Sequence, residues 1–253
     1  MFFLLIQSQV ANLSLTGKKA APKDLMESFQ IGDQNIVNKK YLKDSQELQK
    51  TLEGIYRTTR NQGQRLLTLL SKAIGAPEGF FESKHGGGEN RSVMRITRYP
   101  SLSSFGLSHN DESPALRIGP HRDLGSITLL FQDDQGGLQV QLENNEWVNV
   151  VPVRNSIVVN LGNLMRRYCN GLLKSSIHRV VSNAKSNDTD RYSVILFINP
   201  DDDSYVAPME HCVTDSRPAG WENINTGAYM SCKITQLFAP NAKEQTGKCK
   251  YDD

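Results

Sequence analysis

Between residues 93 and 198 the chain alternates short β-prone segments with turns, and this pattern restricts the possible folds more than any other feature. The segments are apolar or alternate with period two, and turn-forming residues separate them at Asp133–Gly137, Asn144–Asn145 and Pro152–Asn155. We expect strands at residues 93–99, 125–131, 138–142, 147–150, 156–161, 178–181 and 192–198. Many short strands at fairly regular spacing favour a sandwich or barrel over a βαβ fold.

Three side chains in this region match the ligand set of a mononuclear iron site. His121 and Asp123 are two residues apart, so on an extended strand they project from the same side. His178 follows much later, and it completes the set only if the chain folds back. Two imidazoles and one carboxylate bind Fe(II) on one face and leave the opposite face open. A lone His-x-Asp pair is common by chance, so the prediction depends on the surrounding sequence.

That surrounding sequence contains several specific phrases in a fixed order. They are RITRYP, GPHRD, TLLFQDDQGGLQV, EWVNVVP, NLGN, NGLLKSSIHRV and RYS. Together they resemble the core of the Fe(II)- and 2-oxoglutarate-dependent dioxygenases related to isopenicillin N synthase, over about residues 92–200. The resemblance implies a mainly β fold with flanking helices, in which a double-stranded β-helix (jelly-roll) core is braced by a long N-terminal helix.

The resemblance also assigns roles to individual residues. His121, Asp123 and His178 match the iron ligands, and Arg191 and Ser193 match the pair that binds the distal carboxylate of 2-oxoglutarate. Tyr99 matches a tyrosine that touches the cosubstrate in many members. The chemistry agrees, because a carboxylate in a partly dry pocket requires a guanidinium fork and a hydroxyl donor.

The implied activity is an oxygenase that uses Fe(II), 2-oxoglutarate and O2 to oxidise a C–H bond of a small organic molecule, releasing succinate and CO2. The family favours a secondary-metabolite substrate and hydroxylation, although desaturation, cyclisation or rearrangement use the same iron. Two alternatives remain open. One is a truncated, non-catalytic jelly-roll protein that binds metal, and the other is an oxidase of the same fold that uses O2 without 2-oxoglutarate.

Outside the core, the sequence predicts two flanking regions within the same domain. Residues 1–90 form a shortened N-terminal helical region, residues 91–205 the catalytic core, and residues 206–253 a C-terminal lid and helix. Residues 24–45 have weak helix signals and read as loop. One long helix is expected over residues 45–73, with Ser45 as N-cap and Gly75 as the stop. Its apolar residues recur at helical intervals: Leu48, Leu52, Ile55, Leu66, Leu67, Leu70 and Ile74.

Composition limits the partners and the compartment. The net charge of +2 comes from scattered basic residues, which argues against a nucleic-acid partner. The apolar stretch Met1–Ile6 is too short to span a membrane, so we expect no membrane association. The four cysteines form no C-x-x-C pair, and Cys169 is expected to be a buried free thiol in a cytoplasmic protein. We also expect the protein to act on a small-molecule substrate and to be a monomer or a homodimer.

Overall fold

The computed structural model describes residues 25–32, 46–86 and 90–238, the backbone of residues 7–8, and residues 249 and 251. The helices in these residues are α1 (Gln46–Ala73), α2 (Glu82–His85), α3 (Asn163–Tyr168) and α4 (Thr226–Phe238). The strands are β1 (Gln7–Ser8), β2 (Glu27–Gly32), β3 (Val93–Tyr99), β4 (Leu116–His121), β5 (Ile127–Gln132), β6 (Leu138–Gln141), β7 (Trp147–Asn149), β8 (Val158–Leu161), β9 (His178–Val181), β10 (Arg191–Ile198), β11 (Tyr205–Val206) and β12 (Ile224–Asn225).

Two antiparallel sheets build the core. The larger sheet has the order β1-β2-β3-β10-β5-β8, and the smaller one has the order β4-β9-β6-β7. A short pair of strands, β11 and β12, lies outside both sheets. The arrangement is mainly β with flanking helices, and the predicted double-stranded β-helix (jelly-roll) fold is confirmed.

Strand β10 shows how the larger sheet separates two environments. Side chains alternate across a strand, so the even-numbered and odd-numbered residues of β10 point to opposite faces. Leu196 and Ile198 are buried in the hydrophobic core that also contains the helix residues Tyr56 and Leu67. The odd-numbered residues from 191 to 197 instead line a cavity on the other face, between the two sheets.

The long helix α1 braces the outer face of the larger sheet, as predicted. Gly75 follows it with φ 72°, the left-handed conformation expected at a helix stop, whereas the predicted N-cap Ser45 lies outside the described residues. The buried face is rotated from the predicted stripe, since Leu48 and Ile55 are exposed. Helix and sheet come close at Gly63, where an added Cβ would lie 1.9 Å from Ile198 Cδ1.

We expected a loop over residues 24–45, and this expectation is wrong for residues 27–32. Residues 27–32 form strand β2, which pairs along its whole length with β3. Strand β4, which begins at Leu116, was not among the predicted strands. Helix α4 lies within residues 206–253, where the sequence predicted a helix. None of the helices in the described part of the chain is long and apolar enough to cross a membrane.

The cysteines follow the prediction in part. Cys169 is a buried free thiol, as expected, and Cys212 is another. Cys232 of α4 and Cys249 form a disulfide that joins this helix to the C-terminal segment, with Cα atoms 5.5 Å apart. We expected a cytoplasmic protein, and disulfides are rare in the reducing cytosol. The Cys232–Cys249 bond was therefore not predicted.

Candidate active site

A cavity of about 240 Å³ lies between the two sheets and is lined by every residue that was predicted to bind iron or 2-oxoglutarate. Its walls are largely apolar, with side chains such as Leu130, Val140 and Val180. The polar lining residues include the predicted iron ligands and the predicted cosubstrate residues: His121, Asp123, His178, Tyr99, Arg191 and Ser193. An apolar cavity with a few convergent polar groups is the usual form of a small-molecule site.

Pairing between β4 and β9 brings the two histidines together. His121, the last residue of β4, lies directly opposite His178, the first residue of β9. Asp123 follows β4 by two residues, and its Oδ1 atom lies 3.7 Å from Nε2 of each histidine. The possible ligand atoms of the three side chains all lie within 4.8 Å of one another. Such a cluster is suited to hold one metal ion with two nitrogens and one oxygen.

Backbone carbonyls orient both imidazoles. Nδ1 of His121 lies 2.9 Å from the Gly119 carbonyl oxygen, and Nδ1 of His178 lies 3.2 Å from that of Ser176. A protonated Nδ1 that donates to a carbonyl leaves Nε2 as the free acceptor, the tautomer that a metal ligand requires. Burial lowers the pKa of His121, and the nearby His178 lowers it further. The neutral, metal-binding form is therefore favoured.

Two side chains hold Asp123 from behind. The Thr128 hydroxyl donates to Asp123 Oδ2 at 2.6 Å, and the Asn160 amide donates to the same oxygen at 2.7 Å. The carboxylate is buried, so these bonds replace the water that it would otherwise bind. They leave Oδ1 directed toward the histidines.

The turn that carries Asp123 is packed tightly against the next one. The Asn163 backbone N–H donates to the Asp123 carbonyl at 2.8 Å. Gly162 lies so close to Gly125 that an added Cβ would be 2.1 Å from the Gly125 carbonyl oxygen. A side chain at position 162 would therefore displace backbone beside a predicted iron ligand.

Arg191, Ser193 and Tyr99 place hydrogen-bond donors in the same cavity. Arg191 donates from Nε to the Gly136 carbonyl at 2.8 Å and from Nη2 to Gln132 Oε1 at 3.0 Å. Its Nη1 atom and the Ser193 hydroxyl are buried without a hydrogen-bond partner among the described residues. Tyr99 lies opposite Arg191 in the β3–β10 pairing, and the guanidinium is 4.9 Å from its ring centroid. Burial raises the pKa of Tyr99, which keeps its hydroxyl protonated and able to donate.

Buried polar atoms without partners are rare and call for a ligand. A carboxylate placed here would accept from both Arg191 Nη1 and Ser193 Oγ, which is the role the sequence predicted for them. The donors thus fit the distal end of 2-oxoglutarate, and the triad fits Fe(II). All six predicted side chains line the same cavity.

Sequence reasoning did not single out three residues that the structure brings to the site. They are Thr128, which supports Asp123; Gln132, which supports Arg191; and Arg95, which lines the cavity. Thr128 carried a signal, because a hydroxyl inside the apolar segment of β5 must find a partner when it is buried. Arg95 carried one too, since it is four residues before Tyr99 and alternation places both on one face.

The fold and this site define a class of protein: a jelly-roll with a two-histidine, one-carboxylate cluster in the wall of its cavity. Comparison with known proteins agrees. The model of the 2OG-Fe(II) oxygenase superfamily matches residues 90–200. The chain is 33% identical to the 2-oxoglutarate-Fe(II) type oxidoreductase hxnY of Emericella nidulans over 192 residues, which are 74% of this chain and 52% of that protein.

A solved structure and a second curated relative give the same result. A full-length Neurospora crassa protein, crystallised in complex with alpha-KG, superposes with a TM-score of 0.74 at 29% identity, covering 89% of this chain and 70% of that one. 1-Aminocyclopropane-1-carboxylate oxidase 1 of Malus domestica is 34% identical over 213 residues, 79% of this chain and 64% of the oxidase. The chain belongs to the 2OG-Fe(II) oxygenase superfamily. It spans between half and two thirds of the length of these curated relatives.

Proposed function

We propose that the protein is an Fe(II)- and 2-oxoglutarate-dependent oxygenase that oxidises a C–H bond of a small organic molecule and releases succinate and CO2. One observation carries the proposal. The histidine–aspartate cluster and the partnerless donors of Arg191 and Ser193 line the same cavity. A 2-oxoglutarate molecule held by the arginine can therefore also reach the metal.

Each residue has a defined task in this proposal. His121, Asp123 and His178 hold the iron, while Thr128 and Asn160 keep the carboxylate in place. The bound metal and cosubstrate together supply the activation of O2. The protein's own contribution is to orient both, to exclude water with the apolar walls, and to hold the substrate carbon nearby.

Arg191, Ser193 and Tyr99 form the proposed site for the distal carboxylate. The arginine is well suited because it is already fixed by two bonds to the protein, so little freedom is lost when a ligand binds. The retained donors favour a 2-oxoglutarate enzyme over an oxidase that works without it. A relative supports the kind of substrate, since the Neurospora crassa protein has also been solved with alpha-KG and thymine, a small molecule.

A turnover assay tests the proposal. The purified protein is supplied with Fe(II), 2-oxoglutarate and air, and succinate is measured for wild type, His121→Ala and Arg191→Met. The expected result is slow succinate formation even without substrate, lost in both variants. O2 consumption without succinate would favour the oxidase alternative, and no turnover of either compound by the folded, iron-loaded protein would favour the non-catalytic alternative.

Two narrower predictions stay open. The prediction of a secondary-metabolite substrate is based on the family alone. A cytoplasmic location is supported by the two buried free thiols, whereas the Cys232–Cys249 disulfide argues against it.

A further inference from the structure

Gln132 holds Arg191 with one atom of its amide group and has no partner for the other. Its Oε1 atom accepts from Arg191 Nη2 at 3.0 Å. An arginine can only donate, so this bond fixes which end of the amide is the oxygen. The remaining atom, Nε2, is buried and has no hydrogen-bond partner among the described residues. A buried N–H group without an acceptor is rare, and it calls for a ligand that can accept.

Strand pairing places Gln132 on the face of the larger sheet that lines the cavity. Gln132, the last residue of β5, lies directly opposite Ser193 of β10, and directly paired residues share a face. Ser193 lines the cavity, and so do Thr128 and Leu130, the preceding residues on that face of β5. Gln132 is the next residue in this row, and its side chain meets Arg191 there.

Three buried donors without partners are gathered around this glutamine. They are Arg191 Nη1, Ser193 Oγ and Gln132 Nε2, and none of them has a hydrogen-bond partner within the described part of the chain. Arg191 and Ser193 are two residues apart on β10, so they share a strand face. A hydrogen bond joins Gln132 to Arg191, and strand pairing joins it to Ser193. The three side chains therefore form one contiguous group.

The chemistry of these donors favours an anionic oxygen ligand. A carboxylate has two oxygens with about four acceptor positions, enough for all three donors at once. The nearest carboxylate along the chain, Asp133, is engaged elsewhere. It accepts from the backbone N–H of Tyr192 at 2.5 Å and from that of Gln135 at 3.1 Å. The acceptor for Gln132 Nε2 is therefore expected to come from a bound molecule.

We propose that Gln132 is a third donor to the distal carboxylate of 2-oxoglutarate, and that it makes the site selective for keto acids with a second carboxylate. This inference rests on the proposed function, because it takes Arg191 and Ser193 as the cosubstrate site. Gln132 then acts in two ways: Oε1 fixes the guanidinium, and Nε2 binds the same carboxylate as Arg191. A keto acid that ends in a methyl group offers these donors no acceptor and leaves them buried without partners.

Binding of two matched keto acids tests the inference without turnover. Protein loaded with Mn²⁺ is titrated by calorimetry with 2-oxoglutarate and with 2-oxopentanoate, in which a methyl group replaces the distal carboxylate. Wild type should bind 2-oxoglutarate more tightly. Gln132→Met, which keeps the length of the side chain, should lower 2-oxoglutarate affinity by about 10-fold to 100-fold, as expected for a hydrogen bond to a charged group. Affinities for Mn²⁺ and 2-oxopentanoate should stay within about 3-fold of wild type, because neither uses this donor.

Gln139→Met is the matched control. Gln139 is also a strand glutamine that accepts from an arginine, since its Oε1 receives Arg179 Nε at 2.9 Å. Its Nε2, however, already donates to Asn149 Oδ1 at 3.0 Å, and the residue is not among those that line the cavity. The substitution should leave the affinities for both keto acids unchanged.

A double-mutant cycle separates donation to the ligand from the positioning of Arg191. In Arg191→Met the guanidinium is gone, so an effect of Gln132 that remains there does not act through it. Adding Gln132→Met to this variant should weaken 2-oxoglutarate binding by a further factor of about 3 or more. An effect that disappears in the Arg191→Met background would show that Gln132 only positions the arginine, and would overturn its role as a donor.

The same titrations distinguish this inference from the function on which it rests. Normal 2-oxoglutarate affinity in Gln132→Met, or equal losses for both keto acids, would overturn the role of Gln132 alone. Absence of 2-oxoglutarate binding in wild type would count against the proposed function itself, and against this inference with it.

Discussion

Replacing Thr128 by valine should lower the affinity of the protein for a metal ion, although Thr128 is not one of the proposed ligands. The change keeps the shape of the side chain and removes the hydroxyl that donates to Asp123 Oδ2 at 2.6 Å. Asn160 would remain as the other donor to that oxygen, at 2.7 Å. A hydrogen bond to a charged group is worth about 1.5–3 kcal/mol, because a buried carboxylate depends on such bonds in place of water.

Two measurements follow from that magnitude. The free energy of unfolding of the metal-free protein at pH 7 should fall by about 2 kcal/mol in Thr128→Val. Its affinity for Mn²⁺, measured in competition with a chelator, should fall by about 10-fold to 100-fold, the usual effect of losing a partner that supports a ligand. Both effects have the same cause, since Asp123 loses half of the support for Oδ2.

Thr97→Val is the matched control. Thr97 is also a buried strand threonine, but its hydroxyl has no hydrogen-bond partner among the described residues. The same substitution there should leave Mn²⁺ affinity unchanged and stability equal or slightly higher. Wild-type metal affinity in Thr128→Val, or equal losses in both variants, would refute the claim that Thr128 positions the ligand.

Three further predictions concern the cosubstrate, the pH dependence and the packing. Arg191→Lys should weaken 2-oxoglutarate binding by about 10-fold or more in calorimetry while Mn²⁺ affinity holds, because lysine lacks the planar fork; unchanged cosubstrate affinity would contradict the assignment. His85 is buried, and burial lowers its pKa from 6.5 to about 4. Between these two pH values the unfolded chain therefore binds a proton at His85 and the folded protein does not. Stability should be full above about pH 6.5 and fall by about 3 kcal/mol toward pH 4, and urea titrations of His85→Gln should show a smaller fall than wild type. Gly162→Ala, which places Cβ against the Gly125 carbonyl, should lower the free energy of unfolding by about 2–3 kcal/mol, whereas Gly54→Ala, with open space on α1, should be neutral or stabilising by up to about 1 kcal/mol; equal effects in thermal unfolding would show that the tight turn can adjust.

Local sequence was enough to predict most of the core strands. β3 and β9 have the predicted bounds, and β10 begins one residue earlier than expected. These segments are strongly apolar or alternate with period two, and turn residues bound them. The clustering of His121, Asp123 and His178 was also predictable, because the family resemblance assigned all three side chains to one iron site.

Features that depend on distant contacts were missed. Strand β2 contains few apolar residues, and its extended form depends on pairing with β3, more than sixty residues away in the chain. The buried face of α1 includes the predicted Leu52 and Leu67, but between them it runs through Thr59 and Gly63, because the helix approaches the sheet most closely at small side chains. The bond from Asn160 to Asp123 requires β8 to lie beside β5, which local sequence does not reveal.

The most direct test of the account is the assembly of metal and cosubstrate in one cavity. Protein purified without oxygen is mixed with Fe(II) and then with 2-oxoglutarate, and the weak visible charge-transfer band of the chelated keto acid is recorded. The account predicts a band that is absent in His178→Ala, needs far more 2-oxoglutarate in Arg191→Met, and is followed by succinate when air is admitted. A folded protein that binds both Fe(II) and 2-oxoglutarate but shows neither band nor succinate would contradict it.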